Sequence, residues 1–244
     1  MKAIWIFLIW GLCVCALQAI ETKALKKSIQ SVQGSEITFE AGNLRVGESG
    51  IVLTQSKEYE IIIAKAHITG IQDKIATAKF SAFDAIPQKY LPTPSATPKV
   101  GDSVVFRSFY NRGIAIAPNQ ESYQHIVRSN SQVQFMHIDL FAAFMKQKNL
   151  NDPSPKVFRE FCPRYSVGLL FIMDSVSVKV LDCESFVLLE SQNLPAQNDT
   201  SQTLNPFFSR ITSPDKRLGG RFKSNKSKEY FSFYDELLRE AKQQ

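Results

Sequence analysis

Alternating apolar and polar positions dominate the first half of the 244-residue chain. KIATAKFSAF, residues 74–83, has the two-residue period of a half-buried strand. Its two alternating sets are Ile75, Thr77, Lys79 and Ser81, and Ala76, Ala78, Phe80 and Ala82. The preceding segment YEIIIAKAHITG, residues 59–70, is rich in isoleucine and predicts a strand that is buried or that bends across two sheets. Extended strands are therefore the predicted elements of this region.

A turn followed by a strand occurs twice around these segments. LRVGESGIVL, residues 44–53, and PKVGDSVVFR, residues 98–107, each place a glycine, an acidic residue and a serine before an apolar run. Glycine permits positive φ, and the acidic and serine side chains can bond nearby backbone amides, as tight turns require. The prolines between 87 and 98 fall outside the strands, where a missing donor breaks no ladder. The pattern predicts a small, closed or nearly closed β-barrel over residues 28–117.

Helical periodicity replaces the strand pattern after Pro118. NQESYQHIVRSN, residues 119–130, predicts a helix capped by its first asparagine, and IDLFAAFMKQKN, residues 138–149, predicts a helix capped by Asp139. A third helix follows in SPKVFREFCPRY, residues 154–165, with serine at the cap and proline at the first helical position. We expect this third helix to stop near Pro163.

Three apolar runs then predict an antiparallel meander, with strands at 167–173, 176–182 and 186–190. Helices followed by a meander predict an α+β domain, here residues 118–212. Residues 213–244 form a basic tail with a short C-terminal helix. The predicted fold class is mixed β and α+β: a small N-terminal β-barrel, then an α+β domain of helices plus an antiparallel meander, with a basic helical C-terminal tail.

The N-terminal segment predicts export. Residues 1–19 contain one lysine, an uncharged apolar stretch and small residues ending at Ala19, as in a secretory signal peptide. A retained membrane anchor is the alternative, although the stretch is short against the about 20 residues that a spanning helix needs. We expect the mature chain to be soluble or peripheral at the outer membrane, on the cell surface or in the periplasm.

Positive charge is concentrated late in the chain. The formal net charge of +6 becomes +5 when residues 1–19 are removed, because Lys2 is their only charged residue. In DKRLGGRFKSNKSK, residues 215–228, lysine and arginine greatly outnumber the single aspartate. For an exported protein this pattern favours an anionic surface or an acidic protein partner, and it argues against nucleic acid. A solvated tail that binds nothing is the alternative.

Cysteine usage also fits an oxidising compartment. Two of the four cysteines lie in the predicted signal peptide, which leaves Cys162 and Cys183. An even pair in an exported protein predicts a disulfide, which would connect the end of the third helix to a turn of the meander. Two buried free thiols are the alternative.

No arrangement of residues indicates catalysis. The three histidines lack metal-binding spacing, and His137 is the only one close to a carboxylate, at Asp139, where helix capping explains the pair. The sequence contains no G-x-S-x-G motif, and RLGGRF lacks the flanking strand and the Lys-Ser/Thr pair of a phosphate loop. We therefore expect a protein that is not an enzyme and that uses no cofactor or metal.

Several segments resemble one family, in order along the chain. AFDAIPQKYLPTPSATPKVGDSVVFRSFYNRGIAIAPNQESY, HIDLFAAFM, FREFCPRYSVGLLF and LDCESFVLLE are similar to the plasminogen-binding surface proteins of epsilonproteobacteria, the plasminogen-binding protein A type. The resemblance covers residues 28–211. It implies an exported, envelope-associated protein that binds host plasminogen. Longer members continue into a charged helical region that ends in lysine, whereas this sequence ends in two glutamines.

The resemblance implies that lysine-binding kringle modules of plasminogen are the partner. Such modules recognise a cation with a carboxylate at a fixed distance, and the tail supplies Lys223, Lys226 and Lys228, then Arg239 and Lys242 on a helix with nearby acids. With few contacts we expect weak, salt-sensitive binding. We also expect truncation after residue 214 to leave a folded protein and to abolish plasminogen binding that a lysine analogue can compete.

Three alternatives remain open at the level of the sequence. The C-terminal helix could pack its aromatic and leucine side chains on the body, with merely solvated charges. The protein could be a structural component of the periplasm or outer membrane, such as an accessory scaffold of a secretion channel or flagellar basal body, by a weak fold-level analogy. It could also bind a small molecule or glycan at a barrel mouth near Phe106, Phe109 and Tyr110, although core packing explains these aromatics equally well.

Overall fold

The computed structural model describes residues 20–84, 96–193, 203–211 and 227–241. The predicted signal peptide, residues 1–19, lies outside the described residues. Seven strands in the first part form one antiparallel sheet in the order β1-β7-β4-β5-β6-β3-β2. Their bounds are β1 (Leu25–Ser28), β2 (Ser31–Gln33), β3 (Glu36–Glu40), β4 (Ser49–Ser56), β5 (Tyr59–Gln72), β6 (Ile75–Ala82) and β7 (Ser103–Phe106).

This sheet curves into a half-barrel around its own apolar core. Alternate residues of β4 and β7 are buried, as the two-residue period predicted, and Phe39 and Phe106 meet in the core with ring centroids 5.1 Å apart. The edge strands β1 and β2 are joined only by Ile29 and Gln30. They stand at opposite ends of the strand order and do not pair with each other, so the predicted closed barrel is not confirmed.

The two similar turn-and-strand segments are neighbours in this sheet. β4 and β7 pair antiparallel, and the glycine of each preceding turn has positive φ, +91° and +90°. The acidic residue of each turn is buried. Asp102 accepts a hydrogen bond from the Thr54 hydroxyl at 2.7 Å, and Glu48 pairs with Arg107 Nε at 3.0 Å. One structural device is therefore used twice within a single sheet.

A second, five-stranded sheet has the order β12-β11-β10-β8-β9. The last three strands form the antiparallel meander that the sequence predicts, and β8 pairs in parallel with both β10 and β9. Residues 112–116, placed in the first domain by the sequence, thus belong to the second sheet. The strands are β8 (Arg112–Ile116), β9 (Gln134–Phe135), β10 (Leu169–Met173), β11 (Ser177–Asp182) and β12 (Leu188–Asn193).

Four helices accompany the second sheet in the described residues: α1 (Gln120–Ser129), α2 (Ile138–Gln147), α3 (Pro155–Tyr165) and α4 (Tyr230–Ala241). Asn119 and Ser154 cap α1 and α3, as predicted. The predicted cap of α2 is wrong: His137 caps it, accepting from the Asp139 amide at 3.2 Å. Asp139 lies in the first turn of α2. Its carboxylate accepts hydrogen bonds from Ser209 and Arg210, in the segment 203–211.

Aromatic side chains fill the space between the helices and the second sheet. Phe141 of α2 stacks on Phe158 of α3 with centroids 4.9 Å apart, and Phe161 packs edge-on against Phe141 at 5.0 Å. α3 continues through Pro163 in its last turn and ends at Tyr165, slightly beyond its predicted stop. Within the described ranges, no helix combines the length and apolar character needed to cross a membrane.

Buried polar contacts join the two sheets. Asp182, the last residue of β11, is fully buried. Its Oδ2 accepts from the Ser49 amide at 2.9 Å, the Ser49 hydroxyl at 2.6 Å and the Tyr110 hydroxyl at 2.7 Å. Its Oδ1 accepts from the amides of Glu184 and Ser185 at 2.9 and 2.7 Å. The turn after β11 is thereby held against the start of β4.

Candidate partner-binding surface on the C-terminal helix

The structure describes two of the five predicted partner-binding cations. Lys228 precedes α4 and Arg239 lies in its last turn, and both are exposed. Lys223, Lys226 and Lys242 lie outside the described residues. The candidate surface therefore comprises the exposed face of α4 and Lys228, which lies two residues before the helix begins.

One face of α4 is anchored in the core of the second sheet. The Tyr230 hydroxyl donates to the backbone oxygens of Ile116 and Met173, at 3.1 and 3.0 Å. Further along the helix, Tyr234 and Leu238 are buried in the same core. α4 is thus part of the folded body, and truncation after residue 214 would remove these buried side chains from the core. That the truncated protein stays folded remains a prediction.

The opposite face of α4 presents charge to solvent. Ser232, Glu236 and Arg239 are exposed and follow the spacing of four and three residues that places side chains on one helical stripe. Arg239 Nε donates to the backbone oxygen of Asp235 at 3.4 Å, which leaves its guanidinium at the surface. A cation and a carboxylate, Arg239 and Glu236, therefore lie side by side on a fixed helix.

Two distant segments approach the first half of α4. The Asn205 side chain donates to the Lys228 backbone oxygen, and the Ser175 amide donates to the Asp235 carboxylate at 3.1 Å. These contacts bring their exposed neighbours, Leu204 and Val176, to the same part of the surface. Sequence reasoning missed both, because nothing in either local pattern indicates contact with a helix that begins at Tyr230.

The predicted disulfide is present. Cys162 of α3 and Cys183, in the turn after β11, are bonded with a Cα–Cα distance of 6.0 Å. The neighbouring Arg159 donates to the backbone oxygens of Glu184 and Ser185, at 3.1 and 2.9 Å. Helix α3 is therefore connected covalently and by hydrogen bonds to the turn that holds the two sheets together.

The described residues offer no metal centre: no three histidine, cysteine, aspartate or glutamate side chains among them are grouped to hold an ion. A small pocket does open where the sheets meet, with an apolar lining that includes Ile51, Phe109 and Val167. Two charged side chains at this pocket, Lys65 and Glu184, form an ion pair at 2.8 Å, and Lys65 also pairs with Asp84 at 2.8 Å. Ser49 and Tyr110 also line the pocket, and their hydroxyls donate to the buried Asp182 carboxylate.

Together, the fold and the surface define a two-sheet, β-rich protein that displays a cation-bearing helix packed on its core. Residues 24–238 match the sequence model of the family described as "Plasminogen-binding protein pgbA N-terminal". The chain therefore belongs to this family, and the resemblance seen in the sequence is confirmed.

Two curated relatives carry the name Plasminogen-binding protein PgbA, from Helicobacter pylori strains J99 and 26695. Each is 40% identical over 207 residues, which cover 84% of this chain and 45% of the relative. The chain thus spans less than half the length of the curated relatives that it matches. The matched family region includes most of α4, up to residue 238.

Proposed function

We propose that this protein is an exported, non-enzymatic envelope protein that binds host plasminogen through the exposed face of α4. The observation that carries the proposal is the position of α4. The helix lies largely within the family match, and its buried face fixes it to the core while Lys228 and Arg239 stay at the surface. Lys223, Lys226 and Lys242 belong to the same proposed surface on sequence grounds.

Recognition would rest on cation and carboxylate pairs. A lysine-binding kringle accepts a cation with a carboxylate nearby, and the described surface offers Arg239 beside Glu236 and Lys228 beside Glu229. Because the helix is already ordered, little conformational entropy is lost when a partner binds it. Exposed charges are screened by salt, so the ionic part of the contact should weaken as ionic strength rises.

The test is plasminogen binding by the double variant Lys228→Gln/Arg239→Gln, measured by surface plasmon resonance with and without a free lysine analogue. Each substitution removes one charge from an exposed side chain and preserves much of its length. The matched control is Lys156→Gln/Arg128→Gln, which removes one lysine and one arginine from the exposed faces of α3 and α1.

We expect the α4 variant to bind at least about tenfold more weakly than the parent chain, because truncation of a hot-spot residue in an interface costs about 2 kcal/mol or more. The control should bind as the parent does. Equal binding by both variants would exclude this face of α4. An intact chain that shows no competable binding would overturn plasminogen binding altogether.

Location provides a separate test. We expect the mature protein at the cell surface, peripheral to the outer membrane, as a host-protein binder requires. Protease shaving of intact cells, followed by fractionation, should then remove the protein. Complete protection inside the periplasm would contradict surface binding and favour the alternative function, a structural scaffold within an envelope assembly.

A further inference from the structure

Three exposed apolar side chains lie around the first half of α4. Val176 is 77% exposed, Leu204 is 42% exposed and Phe231 is 37% exposed. They come from the turn between β10 and β11, from the segment 203–211 and from the helix itself. Apolar side chains scattered singly on a surface are ordinary, whereas these three lie on segments that meet at α4 and so form a candidate apolar contact.

Two hydrogen bonds to the chain around α4 hold the segments that carry Leu204 and Val176 beside this helix. The Asn205 bond to the Lys228 backbone positions Leu204 at the start of α4, and the bond from the Ser175 amide to Asp235 positions Val176 beside the next turns. Phe231 lies on the same stripe, three residues after Lys228 and four before Asp235. Its ring packs edge-on against anchored Tyr230, with centroids 5.1 Å apart.

Lys228 differs from Arg239 in its surroundings. Lys228 has Phe231 one turn away and Leu204 close to its backbone, whereas the helical neighbours of Arg239, Leu237 and Leu238, are buried in the core. In the described residues, no hydrogen bond or ion pair engages Lys228 Nζ. A partner that encloses this ammonium group must also cover the apolar side chains beside it.

We propose that Val176, Leu204 and Phe231 form the apolar part of the plasminogen contact, and that Lys228, not Arg239, is the principal cation. This inference rests on the proposed function. A kringle module that recognises lysine by charge gains little net affinity from an exposed ion pair alone. Burial of the adjacent apolar surface would add about 25 cal/mol per Å².

An apolar contact should let plasminogen binding persist in part at high salt. Ionic contacts weaken between about 50 mM and about 500 mM salt, because the screening length falls severalfold, whereas apolar burial does not. The parent chain should therefore keep measurable, analogue-competable binding at the higher salt concentration. Removal of the apolar side chains should weaken that residual binding and leave the salt-sensitive part.

The experiment compares two double variants that each remove an exposed valine and an exposed aromatic residue. Val176→Ser/Phe231→Ser changes the proposed contact, and Val100→Ser/Tyr59→Ser changes exposed positions on the half-barrel. Affinity for plasminogen is measured at both salt concentrations, after circular dichroism confirms that the variants are folded. Val176→Ser alone, in a turn, is the fallback if the Phe231 change perturbs α4.

We expect about a tenfold loss for Val176→Ser/Phe231→Ser at high salt, equivalent to about 1.4 kcal/mol, and no loss for the control. Among single charge variants, Lys228→Gln should weaken binding more than Arg239→Gln. Equal affinity of the two double variants at both salt concentrations would overturn the apolar contact while leaving plasminogen binding itself intact. Absence of binding by the parent chain would instead overturn the proposed function.

Discussion

At the residue scale, Asp182 is a carboxylate buried where the two sheets meet. It is fully buried and accepts five hydrogen bonds. The donors are the amide and hydroxyl of Ser49, the Tyr110 hydroxyl, and the amides of Glu184 and Ser185 in the turn that follows β11. A buried carboxylate is stable only when donors replace its water shell. Here Ser49 and Tyr110 supply those donors, and the same bonds hold the two sheets together.

Asp182→Asn should destabilise the protein by about 3 kcal/mol. An amide keeps one acceptor oxygen, so its nitrogen would face backbone N–H groups that can only donate: that of Ser49 at one position, or those of Glu184 and Ser185 at the other. Urea unfolding followed by circular dichroism measures the change. Asp73→Asn, at an exposed turn position with φ 51° that asparagine tolerates, is the control and should have little effect. A loss below about 1 kcal/mol for Asp182→Asn would contradict the assigned role.

At the scale of elements, α4 shows how packing decides between two interpretations of one pattern. Its aromatic and charged residues suit either a displayed helix or one that packs back on the body. In the structure, α4 both packs on the body and displays charge. The 3.6-residue period separates a buried stripe, with Tyr230 and Tyr234, from an exposed stripe, with Glu236 and Arg239. A truncation that removes α4 therefore tests folding before it tests binding.

Two tyrosines of α4 give a matched pair for measuring this anchoring. Tyr230→Phe should lower the free energy of unfolding by about 1–2 kcal/mol, because it leaves the backbone oxygens of Ile116 and Met173 without that donor. Tyr234→Phe should be neutral or stabilising, since the buried Tyr234 hydroxyl has no hydrogen-bond partner in the described structure. Thermal unfolding of both variants checks the contrast, and equal effects would contradict it.

Local sequence patterns predicted the helices and strands better than they predicted which strands pair. The strands near residues 59–83 and the caps Asn119 and Ser154 follow from short-range periodicity and side-chain chemistry. Parallel pairing of β8 with β10 depends on residues far apart in the chain, such as Ile114 opposite Leu170, and no local signal specifies it. For the same reason the sequence predicted the cations of the candidate surface but not the apolar residues beside them.

At the scale of the whole molecule, the junction between the sheets couples stability to pH. His67 lies on β5, opposite Ser49 of β4 and Lys79 of β6. Burial lowers the pKa of His67, and it outweighs the opposing effect of the Asp182 and Glu184 carboxylates, while Lys79 and Arg159 lower the pKa further. The neutral imidazole is therefore the form that the folded junction favours.

A lowered pKa in the folded state means that the unfolded chain binds more protons once the pH falls below the ordinary histidine value of 6.5. The stabilising contribution of neutral His67 is thus present above that pH and is lost as the pH falls through the lowered pKa. Burial raises the pKa of Glu48, partly offset by Arg107, so protonation of Glu48 acts in the opposite direction. Only a comparison between variants isolates the histidine.

We expect His67→Gln to reduce the loss of stability between about pH 7.5 and about pH 5, because glutamine has no proton to gain. Urea unfolding at both pH values gives the change in free energy for each protein, and the Glu48 contribution cancels in the difference between variant and parent. His125→Gln, on the exposed side of α1, controls for the substitution and should leave the loss unchanged. If His67→Gln and the parent chain lose the same stability on acidification, His67 does not carry this pH dependence, and the junction is insensitive to its protonation.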